Sequence, residues 1–237
     1  MPANNKHITI GGVETFSVVD YPGKISAVVF MQGCPWRCPF CYNKHLQTIN
    51  QETNFIWENF FEFLKKRQGI LEAVVFSGGE PLVQDGLENA IDEVKALGYQ
   101  IGLHTGGYRP ELLEKILPNL SWIGFDIKAP FGSEKYKKAI GVEVALPQVI
   151  KSLDLVINAK IDFECRTTCD PRILIVDDIY NIAKELKEKG IKKYHLQKYR
   201  PIPSDKTTKE EDCDKFFYDE NLIKFLKETF EKVELRS

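Results

Sequence analysis

No stretch of this 237-residue sequence approaches the roughly 18 uninterrupted apolar residues that a spanning helix needs. The start, MPANNKHITIGG, has no apolar segment of the kind a secretory leader carries, so the chain reads as cytoplasmic. Charge of one sign is lacking too: the formal net charge is -2, with acids and bases interspersed. That excludes a strong field for nucleic acid or an anionic membrane, and recognition must come from a shaped site. There is no internal repeat and no low-complexity tract. Disulfides are not expected of six cysteines in a reducing compartment, where thiols or metal ligands are the better reading.

Apolar runs rich in β-branched residues recur at 25–32, 71–78, 99–105, 122–128, 159–168 and 193–199 and predict strands. Amphipathic segments at 54–68, 87–98, 110–117, 133–141 and 177–190 predict helices between them, several ending in a turn or glycine. The alternation implies βαβ units and a parallel sheet, with about six units, short of the eight that close a full barrel. A helix near 215–232 and a short strand VELR follow a polar loop over 200–214. In the first helix Ile56, Phe60, Phe63 and Leu64 have core spacing, and the run KELKEKGIKK reads as a solvated face.

Chemistry concentrates in MQGCPWRCPFCYN, where Cys34, Cys38 and Cys41 follow the first predicted strand, at the carboxyl edge where parallel α/β sheets place their sites. The spacing C-x3-C-x2-C, stiffened by Pro35 and Pro39, suits three corners of one iron-sulfur cubane. Trp36 and Phe40 can shield it, and Arg37 and Lys44 can offset its charge. His45 could instead complete a Cys3His zinc site, and three structural thiols are the plainest alternative. A cluster with only three thiolates leaves one iron open to a small molecule.

Further along, FSGGEP ends the second predicted strand: Gly78 and Gly79 allow close backbone approach, and Glu80 offers an acceptor for a cation. A glycine turn entering a helix accounts for it equally well. In WIGFDIKAP, alternation puts Asp126 and Lys128 on one face, as a plain ion pair or as ligand contacts. Arg166, in FECRTTCDP, has the fork geometry for a carboxylate. His195 alternates with Gln197 and Tyr199 and reads first as a structural histidine, while Cys165, Cys169 and Cys213 read as small core or surface thiols rather than a second cluster.

With Phe40 just before Cys41, the cysteine loop resembles the radical S-adenosylmethionine signature. The resemblance implies a 4Fe-4S cluster on Cys34, Cys38 and Cys41, its fourth iron chelated by the amino and carboxylate groups of S-adenosylmethionine. Reductive cleavage of that cofactor would yield a 5'-deoxyadenosyl radical that abstracts hydrogen. It also implies a cofactor site drawn from Phe40, Tyr42, Gly78, Gly79, Glu80, Asp126, Lys128 and Arg166, with Gly78, Gly79 and Glu80 at the methionine amino group. The stretch FSVVDYPGKISAVVFMQGCPWRCPFCYN, with SGGEP, DIKAP and RTT, resembles more closely the activating proteins of anaerobic ribonucleoside-triphosphate reductase, relatives of pyruvate formate-lyase activating enzyme.

That branch implies a partial (β/α)6 TIM-like barrel in a single domain over 1–237, with its core at about 20–200 and a C-terminal extension from 201. It implies hydrogen abstraction from a glycine Cα of a partner enzyme, and a low-potential electron donor such as flavodoxin or ferredoxin. HTGG (104–107) departs from the usual Thr-Asn-Gly turn, which leaves His104 and Gly106 without a transferred role, and Tyr199 stands where a relative carries a cofactor-contacting histidine. A radical enzyme acting on a small molecule and a non-catalytic zinc or iron-sulfur protein are the alternatives.

Overall fold

The computed structural model describes residues 8–143, 146–203 and 205–236; the first seven residues of the start read above for a leader lie outside these. Its strands are β1 (Ile10–Ser17), β2 (Ser26–Met31), β3 (Ala73–Gly78), β4 (Gln100–Thr105), β5 (Trp122–Asp126), β6 (Asp162–Cys169), β7 (Lys193–Lys198) and β8 (Lys232–Arg236). The helices are α1 (Trp57–Lys65), α2 (Leu87–Ala96), α3 (Pro110–Ile116), α4 (Glu134–Ile140), α5 (Leu146–Asn158), α6 (Val176–Glu188), α7 (Glu210–Asp214) and α8 (Glu220–Thr229). Among the described residues the strands make one open sheet in chain order, β1 to β8. The β1/β2 pair is antiparallel, and β2/β3, β3/β4, β6/β7 and β7/β8 are parallel. The expected α/β class with a mostly parallel, unclosed sheet is what the chain adopts.

Contacts divide the chain into two units: Met1–Pro35, Asn43–Gly124 and Pro147–Asp162 in the first, Trp36–Tyr42, Phe125–Leu146 and Phe163–Ser237 in the second. In the first, β2 and β3 are unbroken apolar runs because parallel strands are covered on both faces; Val28, Val29, Val74, Val75 and Phe76 are fully buried. Each such side chain contributes about 1.5–3 kcal/mol through burial. Tyr21 joins Val28, Ala73, Val75 and Trp122 in a cluster with Phe30 packed against it. In the second unit α6 buries Ile179, Ile182, Ala183 and Leu186 at helical spacing. Asp219 caps α8 by accepting from Leu222 N, and α4 ends on Gly141 at φ +69°.

The structure corrects several expectations. β1 was not anticipated: IGGVETFS opens with two glycines after its first residue and earns its place by pairing with β2. α5 was also missed, since Pro147 and the β-branched residues obscure a helical set of Val149, Leu153 and Val156 that is buried. In α1 the buried face is Trp57, Phe60 and Leu64, while Ile56 occupies the N-cap position and is exposed. The polar loop contains α7, and the terminal helix begins only at Glu220, after its Asp219 cap. The VELR strand is present as β8 and extends the sheet beside β7. Among the described residues no helix is long and apolar enough to cross a membrane.

Candidate functional site

In the first unit the chain leaves β2 through a pinned turn. Gly33 N donates to Leu46 O at 2.8 Å and Cys34 N to Gln47 O at 3.2 Å, while the Gln32 amide donates to Thr48 O at 2.8 Å. The end of β3 wedges against this turn: Gly79 N reaches Met31 O and Glu80 N reaches Gly33 O, both at 2.9 Å. A Cβ at Gly79 would collide with the Gly33 carbonyl, and one at Gly78, whose φ is +110°, with the backbone of Met31. Both glycines are therefore demanded by backbone approach at the turn that carries Cys34.

Glu80 points inward and is 1% exposed. Its Oε1 accepts from the Thr105 hydroxyl at 2.5 Å and from Leu82 N at 3.2 Å, and Oε2 accepts from Gly106 N at 2.9 Å. Thr105 Oγ1 in turn accepts from Gly107 N, and Ser152 Oγ donates to Gly107 O, each at 2.9 Å. The carboxylate thus fastens the end of β3 to the end of β4, a use the sequence reading did not foresee. His104 is also structural, with Nδ1 at 3.1 Å from Ser77 Oγ, Nε2 at 3.0 Å from Asp20 O and its ring edge on Trp122.

The second unit holds the rest of the cysteine loop, Trp36–Tyr42. Arg37 N donates to Ile140 O, the last carbonyl of α4, at 2.7 Å. A Cβ on Gly141 would strike the Arg37 carbonyl, so only glycine lets α4 meet the loop this closely. Cys41 N donates to Cys38 O at 3.1 Å, closing a turn between the two thiols. Cys38 is buried; burial pushes its thiol up from the ordinary value, and the Lys128 charge is the largest influence pulling it down. Cys34, Cys38 and Cys41 form no disulfide.

Lys128 gathers several candidates. Its Nζ lies 5.3 Å from the Trp36 ring centroid and 5.8 Å from that of Phe40, within cation–π range. It also pairs with Asp126 Oδ2 at 3.4 Å. Asp126 Oδ1 accepts from Arg166 Nε at 3.1 Å and Nη2 at 2.9 Å. Asp126, Lys128, Arg166 and Phe40 are thus brought together. Tyr42 is placed differently: its hydroxyl accepts from Arg200 N at 2.7 Å and its ring stands 6.3 Å from Tyr199. Tyr199 donates to Asp205 at 2.9 Å beneath the Arg172 guanidinium, which pairs with Asp170 and Asp205.

His195 sits in a separate buried cluster, with Nε2 3.3 Å from Glu164 and Nδ1 3.3 Å from Glu234, while Arg236 pairs with both carboxylates. Cys165, Cys169 and Cys213 are buried free thiols, and burial pushes each above its ordinary value. His45 is exposed, and among the described residues no group of three or more His, Cys, Asp and Glu side chains is so placed that it could hold a single metal ion. Sequence reasoning gave no role to Thr105, Gly106, Ile140 and Gly141, although the first two lie in the HTGG stretch it singled out and the last two close a predicted helix.

A family model described as the radical SAM superfamily matches residues 28–169. A protein of Methanocaldococcus jannaschii, provisionally named as a glycyl-radical enzyme activating enzyme, is 32% identical over 205 residues, covering 81% of this chain and 80% of that one. Pyruvate formate-lyase-activating enzyme of Listeria monocytogenes is 36% identical over 116 residues, 45% of this chain and 46% of the other. Among solved structures, SuiB of Streptococcus suis bound to S-adenosylmethionine superposes with a TM-score of 0.66 at 14% identity, covering 86% of this chain and 48% of SuiB. The chain therefore spans about half the length of that structure. Native anSMEcpe with bound S-adenosylmethionine gives 0.64 at 18% identity, over 86% of this chain and 62% of its own. These two likenesses are of fold alone.

Proposed function

The chain belongs to the radical SAM superfamily and is an enzyme of the glycyl-radical-enzyme activating kind, and from that premise we propose that its partner is an anaerobic ribonucleoside-triphosphate reductase. It would remove a hydrogen atom from a glycine Cα of that partner and leave a stored radical. The family uses a 4Fe-4S cluster and S-adenosylmethionine, which together supply a hydrogen-abstracting radical when bound. The residues present fit these groups. Three thiols lie on one short loop and none is in a disulfide, so Cys34, Cys38 and Cys41 are the thiolates for three irons.

The observation that carries this reading is the Trp36–Tyr42 segment, where a backbone hydrogen bond joins Cys41 to Cys38 and the rings of Trp36 and Phe40 both face the Lys128 ammonium. For the cofactor, the backbone groups of Gly78 and Gly79 suit an ammonium, and Glu80 supports them through Thr105 and Gly106. Asp126, Lys128 and Arg166 provide the charges for the cofactor's carboxylate or the incoming peptide, and Phe40 and Tyr42 flank Cys41. The choice of the reductase rests on DYPGK and QGC, residues 20–24 and 32–34. A flavodoxin or ferredoxin in the cytoplasm would supply the electron.

The test is anaerobic reconstitution with iron and sulfide, then incubation with S-adenosylmethionine, a one-electron reductant and purified anaerobic reductase. Electron paramagnetic resonance should reveal a glycyl radical on the reductase, matched by release of 5'-deoxyadenosine. A radical on pyruvate formate-lyase but not on the reductase would overturn the choice of partner. Cofactor turnover that needs a small molecule and no protein would overturn the activase reading.

A further inference from the structure

The ammonium of Lys128 is enclosed on several sides by the second unit's own residues. Its side chain is 11% exposed and meets Asp126 at 3.4 Å. The rings of Trp36 and Phe40, which are 3% and 7% exposed, stand with their centroids 5.3 and 5.8 Å from its Nζ. Those two rings flank Cys38 in sequence, two residues to either side. A loop that places two aromatic faces on one cation holds both its own fold and a charge at its middle. Asp126 is shared between Lys128 and Arg166. Nearby, the Tyr136 side chain is buried.

We propose that Lys128 sets the reduction potential of the cluster held by this loop, its caged ammonium favouring the state that carries one more negative charge. The inference rests on the cluster-binding reading and is independent of which partner is activated. In the step concerned, one electron leaves the low-potential donor, which is oxidised, and no bond to the protein forms or breaks. Lys128 offsets the arriving charge in a site where screening by water is weak. Asp126 works in the opposite sense by neutralising part of the cage. Lys128 is therefore a positioning and tuning residue that acts through charge, beyond any contact it makes with the cofactor.

The experiment is a potentiometric titration of anaerobically reconstituted protein, without S-adenosylmethionine or partner, followed by electron paramagnetic resonance and paired with iron analysis. Lys128→Met should keep its iron and lose about tenfold in the ratio of reduced to oxidised cluster at a fixed potential, a shift of about 59 mV to the negative for a one-electron couple. Lys128→Arg, which keeps the charge, should stay within about threefold of the parent. Asp126→Asn should move the potential the other way, and it decides the question if Lys128→Met fails to load iron.

An iron-replete Lys128→Met with the parent's potential would overturn the proposal. So would an Arg variant shifted as far as the Met variant, or an Asp126→Asn variant that is unmoved or more negative. Failure of the parent protein itself to take up a cluster would instead overturn the reading on which the proposal rests.

Discussion

Arg37 N donates to Ile140 O at 2.7 Å, a single backbone hydrogen bond that fastens the middle of the cysteine loop to the end of a helix. Side chains take no part in it. What makes it possible is the residue after Ile140, where a left-handed glycine turns the chain away.

Gly141→Ala tests this fastening. A left-handed alanine costs about 1 kcal/mol, and its Cβ would in addition press on the Arg37 carbonyl. The expected loss is about 2–3 kcal/mol in urea unfolding, with reduced iron uptake. Gly190→Ala is the control: φ there is +77° with nothing within 4 Å of the added carbon. It should lose about 1 kcal/mol and load iron normally. Equal iron loss in both variants would refute the role given to the contact.

Glu80→Gln should destabilise the chain by about 1–3 kcal/mol, because an amide NH2 would then face donors that now meet a carboxylate. Thr105→Val removes one of these donors and leaves the carboxylate its backbone partners, so about 1 kcal/mol is expected. Denaturant unfolding of the two variants gives the comparison. A Gln variant as stable as the parent would show that the carboxylate does not tie the two strand ends together.

His195 gives a pH dependence of defined sign. Burial drives its pKa below the ordinary 6.5, with the Glu164 carboxylate opposing. The folded chain then binds its proton later than the unfolded chain as pH falls. Stability present above pH 6.5 should decline below it, by at most about 1.4 kcal/mol per pH unit, until the folded-state value is passed. Thermal unfolding from pH 7.5 to 5 should fall less steeply in His195→Gln than in the parent. A parallel pair of curves would refute the assignment.

Cys38→Ala should abolish cofactor cleavage and lower bound iron, since it removes one of the three thiolates the loop offers. Cys165→Ala, at a buried thiol outside the loop, should retain both. Iron analysis and assay of 5'-deoxyadenosine distinguish them, and unchanged cleavage in Cys38→Ala would remove the basis for the mechanism.

Much of this was legible in the sequence for identifiable reasons. β2 and β3 announce themselves because a strand covered on both faces is an unbroken apolar run. The three cysteines are legible because ligand spacing is local. By contrast, β1 depends on a partner strand, and α5 hides its helical period behind a proline. The Lys128 cage joins residues about ninety positions apart, so its charge could be anticipated but not its neighbours. Glu80 was read toward a ligand because Thr105 and Gly106, its partners, lay in a turn that looked like a departure from the family. Backbone contacts such as Arg37 to Ile140 are nearly silent, since any residue can make them.

The pairing of Arg236 with Glu164 spans 72 positions of the chain and satisfies a carboxylate that is 2% exposed. During synthesis, at about 5–20 residues per second, Glu164 emerges roughly 4–14 s before the arginine that neutralises it. Until β8 follows, β7 has no strand on that side, and a charge destined for burial is still unmatched. This flank of the sheet is therefore a late event in the biogenesis of the protein, and a nascent chain halted before Arg236 is the form a chaperone would have most reason to hold.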